Sequence, residues 1–243
     1  MAGSIVVGVV LLAAFLFHET RTAQPMLPPR FFRSRGFSAT NGLSFAMFFG
    51  TFGLVFLLSQ YFQVAQGLGP LEAGLRTLPW TAMPMIVAPL AGLMSDRIGT
   101  RPLMAGGLAL QAIALGWLAL VLDPATPFGE LVVPFALAGT GMALVFAPSA
   151  NAVLQSVRPE EAGQASGATN AIREVGGVMG VAVLASVFAA NGGYADPQAF
   201  TDGVSAALPI AAAVLAAGAL VALLVPGRER KLSPQVATAS QPA

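Results

Sequence analysis

"NGLSFAMFFGTFGLVFLLSQYF", residues 41–62, runs for 22 residues without a charged side chain. A helix of that length reaches about 33 Å, enough to cross a hydrocarbon core of about 30 Å. The apolar residues do not alternate with polar ones, which argues against a strand with one wet face. In lipid the backbone groups must be satisfied within the segment or in a closed barrel. The stretch therefore predicts a membrane-spanning helix.

Composition extends this reading to the whole chain. Of 243 residues, 56% are hydrophobic and 9% charged, whereas soluble domains average about 25% charged. Mean hydropathy is +0.75. This is the make-up of an integral membrane protein. Cysteine is absent, which excludes disulfides, a thiol nucleophile and a thiolate metal site. His18 is the single histidine, and no cluster of His, Asp or Glu stands beside a nucleophile, so neither an enzyme nor a metal site is expected. The basic residues form no patch with a stacking platform, so no nucleic acid is expected as a partner.

Seven apolar segments, A to G, lie near residues 3–17, 41–62, 75–95, 102–122, 131–153, 171–190 and 205–225. All read as helices, giving an all-α fold with seven transmembrane helices. Segment A is short, at about 22 Å of helix. It lacks the basic flank and cleavage site of a signal peptide and is read as a span that has lost its beginning. The tail "PGRERKLSPQVATASQPA" is polar and rich in small residues, so disorder is expected there.

Eleven of the twelve Lys and Arg fall on one side of this arrangement: Arg21, Arg30, Arg33 and Arg35 in link A/B, Arg97 and Arg101 in link C/D, Arg158 and Arg173 around link E/F, and Arg228, Arg230 and Lys231 after G. Arg76 is the exception. The positive-inside rule makes the basic side cytoplasmic, and the C-terminus with it.

An internal repeat is visible. "GTFGLVF" starts at Gly50 and "GTGMALVF" at Gly139, while "PLEAG" starts at Pro70 and "PEEAG" at Pro159, an offset of 89 residues both times. Helices B, C and D are thus expected to recur as E, F and G. An odd number of spans per copy inverts the second copy, an organisation typical of secondary transporters.

Between helices C and D stands "GLMSDRIGTRPL", residues 92–103, with the pattern G-x-x-x-D-R-x-G-x-R carried by Gly92, Asp96, Arg97, Gly99 and Arg101. Together with "LGPLEAGLRTLPW" at 68–80 and "GQASGATNAIREVGGVMG" at 163–180, it resembles the major facilitator superfamily, in its fourteen-helix drug:proton antiporter branch. The resemblance covers nearly the whole chain except the tail. It implies that residues 1–18 form an extra central helix, 19–40 a cytoplasmic link, 41–226 the six-helix C-terminal half of a transporter, and 227–243 a cytoplasmic tail.

The function it implies is export of hydrophobic or cationic drugs in exchange for protons, by alternating access, across the inner (plasma) membrane. The proton gradient drives it and no cofactor or metal is needed. The chain departs from the family in lacking an N-terminal half, which would carry a second loop signature, a G-P-x-x-G motif and the usual proton-exchanging carboxylates. A missing N-terminal half or a partner half is therefore an expected partner. The alternative is a truncated, non-transporting membrane protein that associates with such a half.

Individual residues carry further expectations. Gly92 would let helix C approach a neighbour, and Gly99 would form the tight turn before Pro102. Asp96 would accept hydrogen bonds from Arg97, Arg101 or the amides of a helix N-terminus, as a conformational latch; the alternative is a solvated turn. Pro79, Pro84 and Pro89 would bend helix C. Gly176, Gly177 and Gly180 form a small-residue helix-packing surface, which the resemblance places against the other half; the alternative is packing within this one. Phe45, Phe48, Phe49, Phe52 and Phe56 crowd helix B, with Phe48, Phe52 and Phe56 on one face. Such a face either lines a substrate cavity or simply meets lipid. The resemblance places helices B and E at the cavity, adding Asn41, Gln60, Ser149, Asn151 and Gln155 as polar candidates. Arg173 and Glu174 are read as paired near the start of helix F, leaving no evident proton-coupling site.

Overall fold

The computed structural model describes residues 2–22 and 28–226. Its elements are α1 (Ala2–Arg21), a 3-10 turn (Pro29–Arg33), α2 (Arg35–Gln60) continued by a π-helical turn (Tyr61–Ala65), α3 (Pro70–Arg76), α4 (Leu78–Thr81), α5 (Met83–Ile98), α6 (Thr100–Val121), α7 (Phe128–Gln155), a 3-10 turn (Pro159–Glu161), α8 (Ala162–Asn191) and α9 (Pro197–Ala222). Among the described residues six helical stretches, from Arg35–Ala65 to Pro197–Ala222, are long and apolar enough to cross a membrane. α1 adds a seventh apolar helix of 20 residues, longer than its apolar run alone suggests.

The outer surface agrees with a lipid solvent. Leu120, Met85, Leu220 and Leu224 are all largely exposed, which lipid tolerates and water does not. Leu43, Met47, Leu54, Met104, Leu108 and Leu215 fill the interior.

The repeat is written into the packing. α2 lies against α8 as α7 lies against α5; α2 packs on α9 as α7 packs on α6; and α6–α9 and α2–α7 close the bundle. Exchanging α2 with α7, α5 with α8 and α6 with α9 maps these pairs onto one another, as two inverted three-helix repeats require.

Several boundaries differ from the hydropathy reading. Helix B begins at Arg35, with Ser34 Oγ accepting from Phe37 N at 3.4 Å as an N-cap, so the 19–40 link is shorter than expected. Helix F begins near Pro159 rather than at residue 171, because proline suits a first turn and Glu160 and Glu161 complement the helix dipole. Residues 163–170 are small and polar, so they extend the helix without raising hydropathy. Helix C is broken, not merely bent. It is interrupted at Thr77 and Ala82, two residues ahead of Pro79 and Pro84, while Pro89 stays inside α5. A proline ring clashes with the carbonyl four residues earlier, which for Pro84 is that of Trp80. Gly139 of α7 lies directly against that carbonyl, so the neighbouring helix approaches where the ladder is lost.

Each end of the bundle is fastened. At the basic end Arg30 and Arg158 both pair with Glu161, while Phe31 and Phe37 are buried with Val153, Ala165 and Ala168. At the opposite end Tyr61 Oη donates to the Asp123 carbonyl at 2.5 Å. There Gln66 bridges Tyr61 and Thr126, and Arg76 joins Gln66 to Glu72. The expected tail at 227–243 and residues 23–27 of the link lie outside the described residues.

Candidate functional site

The charge that organises the site is Arg173. With α8 starting at Ala162, Arg173 stands about 16 Å from the helix start, well inside the span. It is only 9% exposed, and a buried charge of this kind is costly unless compensated. Its Nη2 donates to Ser149 Oγ at 2.9 Å, and its Cζ lies 4.9 Å from the ring centre of Phe146 and 5.5 Å from that of Phe48. Its Nε has no partner. Glu174 forms no ion pair with Arg173, whose guanidinium turns to Ser149 instead, so the expected Arg173–Glu174 pair is corrected. Successive helical residues point about 100° apart: Arg173 turns inward to α2 and α7, and Glu174 outward. Arg173 is likewise removed from the group of basic residues at the end of the bundle.

The rings around Arg173 come from both repeats. Phe48 stacks on Phe52 with centroids 5.3 Å apart and planes at 16°, and on Phe146 at 6.4 Å and 25°. Beside them opens a cleft of about 400 Å³ lined by Phe52, Glu174, Gly177, Val178, Val181 and Ala182. Phe52 and Phe146 remain 46% and 42% exposed. A flat apolar molecule can stack here, with the Glu174 carboxylate at the margin.

Of the residues singled out in the sequence, Phe48, Phe52 and Ser149 meet at this place. Phe45 and Phe49 do not line the cleft, and it is their backbone that packs against α8. A Cβ on Gly176 would stand 2.6 Å from the Phe45 carbonyl oxygen, and Gly180 lies against the Phe49 carbonyl. The surface of Gly176 and Gly180 is thus spent within the chain and is not an outer face toward another half. Gly177 borders the cleft, where a Cβ would come within 3.3 Å of the Phe52 ring.

The polar candidates are dispersed. Asn41 is buried; its Nδ2 donates to the Phe37 carbonyl at 2.9 Å and its Oδ1 has no partner. Gln60 belongs to the far end, where it accepts from Tyr194 Oη at 2.7 Å. Asn151 and Gln155 are exposed near the basic end, and Gln155 lines a separate cleft with Arg30, Ser34 and Arg158. Only the resemblance, through helices B and E, groups them. Helix length separates Gln60 from Gln155 by most of the membrane.

Within the loop signature, Gly99 adopts φ 89° and ψ 162°, a conformation reserved for glycine, and so turns α5 into α6. Gly92 has nothing within 4 Å of where a Cβ would stand, so its expected close approach is not made within this chain. Arg97 and Arg101 are exposed at the basic end, and the side chain of Asp96 lies outside the described residues.

The sequence profile described as Major Facilitator Superfamily matches residues 1–181 and 40–243. The chain belongs to this superfamily. Major facilitator relatives include the multidrug resistance protein Stp of Mycobacterium tuberculosis, 35% identical over 179 residues, which are 73% of this chain and 33% of that protein. The tetracenomycin C resistance and export protein of Streptomyces glaucescens is 30% identical over 82% of this chain and 37% of its own length. The multidrug efflux pump LfrA of Mycolicibacterium smegmatis is 30% identical over 78% of this chain and 37% of its own. The chain thus spans about a third of the length of the relatives it matches. As a major facilitator protein it is a multi-pass membrane protein of a transporter family, not an enzyme.

Proposed function

We propose that this chain is the C-terminal half of a drug exporter, moving hydrophobic compounds, cations among them, out of the cell in exchange for protons by alternating access. The observation that carries this reading is the cleft between α2 and α8, near the middle of both helices and so assembled from both inverted repeats, with the rings of Phe48 and Phe146 stacked behind Phe52. Ligand sites at the interface of inverted repeats are the rule in secondary transporters. The names of the relatives support drugs as the cargo.

Glu174 is the residue of this half suited to proton exchange, since a carboxylate at an apolar cleft inside a span is a functional group by default. The basic residues support an orientation with the Arg158 end and the C-terminus in the cytoplasm and the chain in the inner membrane. Rocking of an N-terminal half against this one would make and break a latch at Asp96, so Asp96→Asn in the whole transporter lowers export without lowering insertion.

The test is dye efflux from cells producing the 243-residue chain, the same chain joined to an N-terminal half, and an empty vector. Efflux from the joined form supports the reading. A joined form that inserts and folds but moves no dye would favour a non-transporting membrane protein.

A further inference from the structure

Phe48 and Phe146 stand beside the cleft, joined to it through Phe52, and their faces are where a ligand cation would be drawn, because the negative lobe of an aromatic quadrupole lies over the ring face. Both faces are already taken. The Arg173 guanidinium sits 5.5 Å from one ring centre and 4.9 Å from the other, and Ser149 Oγ holds it by a 2.9 Å hydrogen bond. Gly176 and Gly180 seat α8 tightly on α2, so the guanidinium is delivered to the rings by a rigid tether. A tethered group acts at a high effective concentration, and its charge repels a second cation strongly where the dielectric is low.

We propose that Arg173 is a specificity-determining residue: a resident cation that fills the aromatic site between Phe48 and Phe146 and makes it select neutral aromatic compounds over cationic ones. This rests on the reading of the cleft as a substrate site and narrows its cargo, ranking neutral aromatic compounds above the cations among them. The exposed sides of Phe52 and Phe146 remain open for neutral rings to stack.

The test compares two probes built on phenyl groups, the cation tetraphenylphosphonium and the neutral triphenylphosphine oxide, binding to the full chain in lipid nanodiscs. Removing the resident charge in R173M tightens tetraphenylphosphonium by about fivefold or more, a modest cation–π gain, and leaves triphenylphosphine oxide within about twofold. Adding F146L to R173M gives the gain back, because the freed ring face is gone. A gain that survives in the double variant would place it on Glu174 and overturn the proposal. Equal changes for both probes, or no change for the cation, would do the same. Loss of both probes in R173M and also in R173Q would make Arg173 a structural residue, again overturning it. If the wild-type chain binds neither probe, the substrate reading itself fails and takes this inference with it.

Discussion

Gly180 of α8 lies against the backbone carbonyl of Phe49 in α2, with no room between them for a Cβ. Helices in lipid gain little from apolar burial against one another, so close backbone approach supplies the van der Waals contact that holds the pair. Gly180→Val is expected to push α8 off α2 at a cost of about 1–3 kcal/mol. Gly163 has nothing within 4 Å of its Cβ position, so Gly163→Ala is expected to be neutral or to stabilise by up to about 1 kcal/mol. Thermal unfolding of the two variants in detergent separates these outcomes.

The turn between α5 and α6 rests on one backbone conformation. With φ 89° and ψ 162° at Gly99, Gly99→Ala is expected to cost about 1–3 kcal/mol. The loss appears as a lower melting temperature. Gly92→Ala, in open space, serves as the control from the same motif.

Ser149 accepts the hydrogen bond of a buried guanidinium while donating to the Phe146 carbonyl at 2.9 Å. Ser149→Ala leaves that charge with the two rings alone, an expected loss of about 1.5–3 kcal/mol for a charged hydrogen bond. Ser149→Thr keeps the hydroxyl and is expected to keep most of the stability. Chemical denaturation of the three proteins is the check.

Orientation can be tested without background labelling, because the chain has no cysteine. Ala125 and Glu160 are exposed at opposite ends of the bundle. In intact cells a membrane-impermeant maleimide is expected to label Ala125→Cys and to reach Glu160→Cys only after lysis. The reverse pattern would invert the proposed topology.

Much of the fold was legible in the sequence, for definite reasons. Uncharged runs the length of a bilayer announce helices, and the offset of 89 residues announces their duplication. The depth of Arg173 was not legible from hydropathy, because "AGQASGATN" at 162–170 is helical without being apolar. A signal did exist. "PLEAG" opens α3 at Pro70, so its repeat "PEEAG" marks a helix start near Pro159 and carries Arg173 into the membrane. Phe146 was visible in the same way, as the last residue of "GTGMALVF", the repeat of the run ending at Phe56. What small residues could not reveal is their partner: Gly176 and Gly180 announce a close approach, but which helix comes close is decided by the whole bundle. Nor did three evenly spaced prolines show which would break helix C, since that depended on where α7 could approach the freed carbonyl of Trp80.

If the cleft beside Phe52 and Glu174 receives the transported compound, as proposed, a single cysteine there is protected when the cleft is filled. Val178 lines the cleft, whereas Leu120 is 87% exposed on α6 outside it. With the chain in native membranes, an excess of the neutral aromatic compound triphenylphosphine oxide should slow maleimide labelling of Val178→Cys and leave Leu120→Cys as it was. Equal labelling of Val178→Cys with and without triphenylphosphine oxide would mean that the cleft takes no such compound.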